Sequence, residues 1–277
     1  MTLTAATAIA FVASLLIVAA MKRVAVLDIP NDRSSHGRPT PRGGGIAIVV
    51  VTIAGALSLV PHTWPLMAAA GVIAIMSWID DVKHLSPAIR FPIQILAACA
   101  VVYVYGPRQP LFAAMAVFWI VGVTNAYNFM DGIDGIAGTQ AMLGGVAWFA
   151  ITRNPIALLI AASSLGFLIY NWQPASIFMG DVGSAFLGFT FASLPLLEHN
   201  RFAPLAMVLV LFPFLVDSGL TLAHRALKRK RIWEAHREHL YQRLVIAGWS
   251  HRGVTMLYGA ITLATSCAAL ALLPSLR

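Results

Sequence analysis

The sequence predicts an all-α, polytopic membrane protein. Of its 277 residues, 59% are hydrophobic and only 11% are charged, and the mean hydropathy is +0.79. A soluble domain carries about 25% charged residues, so this chain has too few to cover a water-facing surface. Its apolar residues are grouped in runs that approach the roughly 17–25 residues needed to cross a bilayer. These observations exclude a water-soluble globular protein.

About ten apolar runs are candidates for transmembrane helices, and we expect residues 1–277 to form a single transmembrane domain. The first run lacks a basic leader and a small-residue cleavage site, so we expect it to be retained. Both cysteines lie inside apolar runs, which predicts neither a disulfide nor a zinc framework. The runs are 3–20, 46–61, 64–79, 91–106, 111–127, 136–152, 156–171, 184–198, 202–222 and 254–273.

The distribution of basic residues predicts the orientation. An even number of spans puts both termini on one side of the membrane and the five longer connections on the other. Those connections hold 15 of the 19 lysines and arginines, which makes their side cytoplasmic by the positive-inside rule. We therefore expect both termini outside. The cytoplasmic connections are about 21–45, 80–90, 128–135, 172–183 and 223–253.

The acidic residues gather on the same face. A basic surface attracts anionic lipid, but this does not explain why Glu198 is the one acid of 11 that falls in an external connection. Carboxylates near lipid cost about 3 kcal/mol each unless paired, and they mark functional sites. We therefore predict an active site on the cytoplasmic face. For Asp28 and Asp217, a purely structural ion pair is an equally good interpretation.

Three cytoplasmic connections are glycine-rich and run directly into a predicted helix. They read "RPTPRGGGIAI" (38–48), "NFMDGIDGIAG" (128–138) and "IFMGDVGSAFLG" (177–188). Free N–H groups and the positive dipole end at a helix start favour phosphate. One such loop is as readily an ordinary turn. Three on one face, together with acids, indicate a phosphate-binding site.

A pair of adjacent aspartates ends the third span in "SWIDDVKHL". Asp80 and Asp81 repel each other, so they persist where a cation, a proton or an arginine separates their charges. Oxygen ligands close to phosphate suit Mg²⁺, which usually takes one or two carboxylates plus substrate oxygens. The alternative is a structural pairing with Lys83 or Arg90 that fixes the loop.

The last cytoplasmic connection is rich in basic residues. The run 228–231 is typical of a lipid-facing anchor at the end of a span. His236 and His239 share a face if this segment is helical. A zinc pair is disfavoured because no third ligand accompanies them. Binding of phosphate or a sugar by histidine with Arg237 and Arg243 is the better interpretation.

Five motifs in order resemble a known family. They are "DIPNDRSSHGRPTPRGGG", "DDVKHLSPAIRF", "NAYNFMDGIDGIAG", "NWQPASIFMGDVGSAFLG" and "PFLVDSGLTLAHR" followed by "HREHLYQRL". From about 28 to 253 the chain resembles the polyprenyl-phosphate N-acetylhexosamine-1-phosphate transferases (glycosyltransferase family 4, the MraY/WecA/WbpL-like group). "RSSH" and "HLYQRL" are most similar to the branch that starts O-antigen, in lipopolysaccharide synthesis, or other surface polysaccharides.

The resemblance implies a reaction and its partners. A sugar 1-phosphate passes from a UDP-N-acetylhexosamine (GlcNAc, or a 6-deoxy relative such as FucNAc or QuiNAc) to undecaprenyl phosphate, and UMP is released. Mg²⁺ is required, with Mn²⁺ as a possible substitute. The expected location is the bacterial inner (plasma) membrane, with periplasmic termini. We expect contact with the lipid bilayer and no nucleic acid, and a homodimer is compatible with the sequence.

The resemblance also implies roles for the metal and catalytic residues. Asp181 in "FMGD" resembles the metal ligand, with Asn128 helping. Asp80 and Asp81 resemble the acidic pair at the catalytic centre, where one of them takes the proton from the lipid phosphate. Direct attack by that phosphate is favoured over an aspartyl-phosphate intermediate, because a doubly charged phosphate is already nucleophilic.

Nucleotide contacts follow from the same resemblance. Asp134 and Phe178 resemble the uracil-binding positions, by hydrogen bond and by stacking. Where many relatives carry further histidines, this chain has Tyr241 and Gln242, which puts a multi-histidine role in doubt and makes the muramoyl-pentapeptide branch less well matched. The residues assigned to nucleotide or phosphate are Lys83, Asp131, Asp134, Phe178, His239 and Arg243, with weaker assignments for Asp28, Arg42, Asp217 and His236.

Two other functions compete with a transferase. A nucleotide-sugar or ion transporter needs polar residues near the middle of the membrane and commonly has broken helices; neither is evident in the sequence. A structural scaffold of a polysaccharide assembly with relic site residues is the second alternative. Transfer of label from a UDP-sugar to a polyprenyl phosphate discriminates all three.

Overall fold

The computed structural model describes residues 2–24, 26–29, 38–231 and 236–272. Three predicted segments are therefore described in part. Residues 30–37, from the first motif, and residues 232–235, from the last connection, lie outside the described residues, as does the last residue of the predicted run 254–273.

Helices make up most of the described chain, as predicted. The only strands among the described residues form a two-residue antiparallel pair, in which Leu27 lies opposite Pro41. The elements are α1 (Leu3–Val24), β1 (Leu27–Asp28), β2 (Thr40–Pro41), α2 (Gly45–Leu59), α3 (Trp64–Lys83), α4 (Pro87–Tyr105), α5 (Pro110–Phe129), α6 (Ile136–Thr152), α7 (Pro155–Asn171), α8 (Asp181–Ser193), α9 (Ala203–Val210), α10 (Phe212–Leu227), α11 (Leu240–Ile246) and α12 (His251–Leu272).

Five helices of the described chain are long and apolar enough to cross a membrane: α1, α3 with the turn before it, α4, α5 and α12. The number is six if the bent pair α9–α10 forms one span. Four more apolar helices, α2, α6, α7 and α8 with the turn after it, are shorter. Every predicted run coincides with a helical segment. Ten crossings and the side of the termini stay predictions.

The ninth predicted run is not one continuous helix. It breaks at Leu211, and the axes of α9 and α10 differ by 79°. Pro213 explains the break, because its ring has no N–H for the preceding turn and clashes with it. The Gln140 side chain donates to the freed Val210 carbonyl at 2.9 Å and accepts from Thr262 at 2.6 Å. The expectation of unbroken helices is therefore wrong here.

Helix α8 lies at the centre of the bundle. All its residues from Val182 to Ser193 are buried, and a helix that is apolar on every side belongs inside a protein rather than at its surface. It packs against α2, α3 and α5. The helices that begin or end at the predicted site loops are thus gathered around one another.

A close approach between α2 and α8 aligns their first turns. A Cβ added to Gly183 would lie 2.7 Å from the Gly45 Cα, too close for any other residue. Small residues allow helices in a membrane to approach so closely that van der Waals packing holds them together. The contact brings the glycine-rich segments before α2 and α8 side by side.

Candidate active site

Two of the three glycine-rich loops are joined by main-chain hydrogen bonds. Phe178 N–H donates to the Pro41 carbonyl at 2.8 Å, and Gly44 N–H donates back to the Phe178 carbonyl at 2.9 Å. Gly45 N–H then donates to the Met179 carbonyl at 2.9 Å. The backbone of Phe178 is therefore fixed, while its side chain stays partly exposed.

The third glycine-rich loop is tied to the same place by Asn171. This buried side chain accepts a hydrogen bond from Gly135 N–H at 3.0 Å and donates to the Ile177 carbonyl at 2.9 Å. Asn171 cannot be identified as a site residue from the sequence, where its one signal is a polar residue at the end of an apolar run.

The adjacent aspartates point in different directions. Asp80 accepts hydrogen bonds from Leu85 N–H at 2.6 Å and from Arg90 at 2.7 Å, with its side chain 8% exposed. The same Arg90 nitrogen lies 3.9 Å from the Asp181 carboxylate. The structural pairing with arginine thus holds for Asp80, whose catalytic role stays a prediction. Lys83 is exposed and pairs with no described acid.

Asp81 reaches from α3 to the start of α8. Its two carboxylate oxygens accept from Asp181 N–H at 3.1 Å and Val182 N–H at 3.2 Å. Gly180 precedes that helix with a φ of +77°, and a Cβ there would lie 2.8 Å from the Asp81 carboxylate. Only glycine adopts this conformation readily and leaves the carboxylate room. Residues 100 positions apart are thereby brought into contact.

Asp181 and Asn128 are neighbours on α8 and α5. The Asn128 amide donates at 2.9 Å to the hydroxyl of Ser184, which lies one helical turn after Asp181 on α8. The Asp181 side chain keeps 33% of its surface exposed. The two residues assigned to the metal are therefore adjacent, and the carboxylate is reachable from solvent.

The helix-start amides are not free for a phosphate. Gly43, Gly44 and Gly45 donate to the carbonyls of residues 178–179, and the first two amides of α8 donate to Asp81. The expectation of unoccupied N–H groups at the starts of α2 and α8 is therefore wrong. An anion bound at the starts of these two helices would therefore contact side chains rather than these amides.

Arg42 is a cation among the acids. Its guanidinium lies 3.4 Å from Asp28 and 3.4 Å from Asp81. Burial opposes its charged form, but the negative charges of Asp81, Asp28, Asp181 and Asp131, in decreasing order of effect, raise the pKa of Arg42. Two acids thus pair with this one side chain, and two more act on it electrostatically.

Asp131 adds a further carboxylate to the cluster. Burial, followed by the negative charge of Asp181, raises the pKa of Asp131 well above its ordinary value. The acidic cluster around Arg42 consists of Asp28, Asp81, Asp131 and Asp181. It contains more carboxylates than guanidinium groups, so its electrostatics favour an added cation.

The donor set fits Mg²⁺. Among the described residues, no three His, Cys, Asp or Glu side chains already form a complete metal site. Mg²⁺ nevertheless uses one or two carboxylates and completes its shell with water and substrate oxygens. The reachable Asp181 carboxylate beside the Asn128 amide supplies that kind of partial shell.

Asp134 lies in the same loop but is largely occupied. Its carboxylate accepts from Ala175 N–H at 3.0 Å and lies 3.5 Å from the His251 imidazole, with 12% of the side chain exposed. Thr255 donates to its carbonyl at 3.0 Å. The hydrogen bond to uracil stays a prediction. His251 cannot be identified as a partner of Asp134 from the sequence, since nothing in the sequence pairs it with a loop more than 100 residues away.

Asp217 holds the start of α11. Its carboxylate accepts from Leu240 N–H at 2.8 Å, Tyr241 N–H at 3.0 Å and the Tyr258 hydroxyl at 2.6 Å, and lies 3.3 Å from the His239 imidazole. It is 3% exposed. These contacts correspond to the structural interpretation of Asp217.

Residues 236–243, which we call the histidine loop, pack beside the acidic residues of the site. Tyr241 donates to the Phe129 carbonyl at 3.0 Å, which ties the loop to the end of α5. His239 is 2% exposed and its ring lies 4.9 Å from that of His236. Burial, and then positively charged neighbours, lower the pKa of His236 to about 4. Arg243 is exposed, and its phosphate role stays a prediction.

The fold and the site define a class: a multi-pass helical membrane protein with an acidic, cation-attracting site where several loops meet. Comparisons with known proteins define it more closely. The sequence model described as "Glycosyl transferase family 4" matches residues 63–198. The chain belongs to this family.

Three relatives illustrate its range. A probable undecaprenyl-phosphate N-acetylglucosaminyl 1-phosphate transferase of Bacillus subtilis is 33% identical, over 88% of this chain and 78% of that protein. A putative glycosyltransferase of Streptomyces coelicolor is 32% identical, over 89% and 64%. A phospho-N-acetylmuramoyl-pentapeptide-transferase of Levilactobacillus brevis is 30% identical, over 82% and 82%. The identities to the N-acetylglucosaminyl 1-phosphate transferase and to the muramoyl-pentapeptide-transferase are too similar to assign the chain to either branch of the family.

Proposed function

We propose that this protein transfers N-acetylhexosamine 1-phosphate from a UDP-sugar to undecaprenyl phosphate. The observation that carries the proposal is the meeting of Asp81, Asp181 and Asn128. They come from α3, α8 and α5 and lie together at one end of the bundle. Joining a water-soluble nucleotide sugar to a lipid phosphate requires both anions to meet at a membrane surface, and an acidic, cation-binding site suits this task.

The metal-binding residues are Asp181 and Asn128. Mg²⁺ bound there would neutralise the diphosphate and stabilise charge on the departing UMP. Asp81 holds the first turn of α8, and with it Asp181, in position through two main-chain hydrogen bonds. Asp80 fixes the turn between α3 and α4 through Arg90 and Leu85, a role that Asp81 does not share.

The proposed chemistry is a direct displacement at phosphorus. An oxygen of the lipid phosphate bonds to the β-phosphorus of the UDP-sugar, and the bond from that phosphorus to the bridging oxygen breaks. UMP leaves with the electron pair. The products are undecaprenyl-diphosphate-sugar and UMP. No protein nucleophile is needed, because the attacking phosphate already carries two negative charges.

The donor branch is the finer part of the proposal. The B. subtilis relative is, by its name, specific for N-acetylglucosamine, which supports this sugar as the donor group. A 6-deoxy relative such as FucNAc or QuiNAc is the alternative, and the sequence around 239–244 supports a role at the start of surface polysaccharide synthesis, such as O-antigen. The Levilactobacillus relative acts, by its name, on a muramoyl pentapeptide. A panel of purified UDP-sugars assayed for UMP release decides between these donors.

The arrangement in the membrane belongs to the same proposal. Ten spans, periplasmic termini and a bacterial inner-membrane location are consistent with the basic residues on one face, and a homodimer is compatible with them. A fluorescent protein that folds only in the cytoplasm, fused after residue 277, should stay dark. A fluorescent fusion would place residue 277 in the cytoplasm and contradict the predicted orientation.

The test of the activity uses the purified protein in detergent. UDP-GlcNAc labelled with ³²P at the β-phosphate and undecaprenyl phosphate are the substrates. We expect Mg²⁺-dependent label in the lipid extract and equimolar UMP in water. The broken α9–α10 pair is a feature that a transporter would share. Uptake of the nucleotide sugar into sealed vesicles without label transfer would favour the transporter.

A further inference from the structure

Arg42 lies among the acidic residues next to the candidate metal site. It bridges Asp28 and Asp81 at 3.4 Å each, and the Asp81 carboxylate in turn holds the start of α8, where Asp181 is the first residue. The charges of Asp181 and Asp131 also act on it. A divalent cation entering this cluster meets a resident positive charge.

The ion pairs that Arg42 makes with Asp28 and Asp81 are long. Both of its ion pairs exceed normal hydrogen-bond length, and its side chain is 30% exposed. The Arg90–Asp80 pair nearby is short, at 2.7 Å, although Arg90 is as exposed as Arg42, at 32%. The two arginines therefore differ in the length of their ion pairs: Arg90 closes a fixed turn, whereas the longer pairs of Arg42 are the easier ones to exchange.

We propose that Arg42 is an exchangeable counter-ion. It neutralises the acids when the site is empty, and it moves to the diphosphate of the nucleotide sugar when a metal ion at Asp181 takes over the neutralisation of these acids. This inference rests on the proposed function, because it assumes a metal–diphosphate complex as the incoming ligand. The exchange keeps the charge of the site balanced at each stage.

The exchange predicts that removal of the Arg42 charge has opposite effects on metal binding and on nucleotide binding. Arg42 competes with a metal ion that enters alone, so its removal strengthens metal binding. Arg42 attracts the diphosphate once the metal is bound, so its removal weakens nucleotide binding. A nearby charge shifts a charged equilibrium by about tenfold or more. A residue that only supports the fold would weaken both.

The test compares Arg42→Gln with Arg42→Lys. The main-chain bonds of residue 42, including its N–H to the Val26 carbonyl at 2.9 Å, do not need the side chain, so both variants should fold. Lys228→Gln removes a cation that pairs with no described acid and serves as the control. The probes are Mn²⁺ alone, measured by the EPR signal of free Mn²⁺, and UDP at saturating Mn²⁺, measured by calorimetry.

We expect Arg42→Gln to bind Mn²⁺ about tenfold more tightly and UDP about tenfold more weakly than the wild type. Arg42→Lys and Lys228→Gln should stay within about threefold of it for both. Unchanged or weaker Mn²⁺ binding by Arg42→Gln overturns the exchange, even if UDP binding falls. A wild type that binds no Mn²⁺ overturns both the exchange and the metal site of the proposed function.

Discussion

Three aspartates of the site show how neighbours decide the role of a side chain. Asp80 is fixed by an arginine and a main-chain amide, and Asp81 is fixed by the first amides of α8. Asp181 keeps a third of its side-chain surface exposed. Since a metal ion needs a reachable carboxylate, Asp181 is the best placed of the three.

Asp181→Asn should abolish turnover while leaving the protein folded. The amide keeps the size of the side chain but loses the charge that holds Mg²⁺, and we expect kcat to fall by about 10³-fold or more. Label transfer to undecaprenyl phosphate measures it, and thermal melting in detergent checks the fold. Glu198→Gln, in the connection between α8 and α9, is the control. Wild-type activity in Asp181→Asn would remove the metal assignment.

Phe178→Ala should act on the donor. If the ring stacks on uracil, its loss raises the KM for the UDP-sugar by about tenfold and lowers kcat less. The backbone of residue 178 is held by main-chain bonds that alanine keeps. Phe118→Ala, at a ring that is 80% exposed on α5, is the control. An unchanged KM contradicts the stacking role.

At the scale of elements, the packing of α8 sets the geometry of the site. Because Gly183 touches Gly45, the first turns of α8 and α2 lie together, and Asp181 lies beside the joined loops. The site is therefore sensitive to changes that do not touch any ligand.

Gly183→Leu should separate the two helices. Overpacking of this kind costs about 1–3 kcal/mol, and displacement of Asp181 should lower kcat as well as the melting temperature. Gly122→Leu places the same side chain on α5, where an added Cβ meets nothing within 4 Å, and should change neither. Equal behaviour of the two variants would show that the close approach does not position the site.

The lowered pKa of His236 in the histidine loop predicts that the stability of the folded protein depends on pH. The pKa of His236 is lowered to about 4 in the folded protein, against about 6.5 in an unfolded chain. Between these values the unfolded state binds the extra proton, so this contribution to stability is present above pH 6.5 and is lost as the pH falls towards 4.

The comparison uses His236→Asn, which cannot take up that proton. From pH 7.5 to pH 5, the melting temperature of the wild type should fall by about 2–4 °C more than that of the variant. Other groups titrate in both proteins, so only the difference counts. Parallel curves would mean that His236 titrates normally in the folded state.

At the scale of the whole molecule, apolar runs predict where the helices lie, because a lipid-facing or buried helix must be apolar. They do not predict the break between α9 and α10. Its signal was Pro213 inside a run, but proline is also tolerated in membrane helices, and the Gln140 contact that satisfies Val210 is invisible in the sequence.

The chemical types in the candidate site could be predicted from the sequence, but their partners could not. Gly-Asp and Asp-Gly loops identify Asp181 and Asp131, since acidic residues at the ends of membrane spans usually mark functional sites. Arg90 appeared only as an alternative, and Asn171 and His251 not at all. Their contacts join segments distant in the chain, and only the packing of the bundle specifies them.

The central claim is that Asp181, held beside Asn128 and Asp81, binds a divalent ion between two phosphorylated reactants. A crystal structure with Mn²⁺ and UDP, with anomalous scattering to locate the metal, tests it most directly. We expect one Mn²⁺ peak within about 2.3 Å of the Asp181 carboxylate and of a diphosphate oxygen. A UDP molecule bound with no metal at Asp181, or a metal bound away from the joined loops, would contradict it.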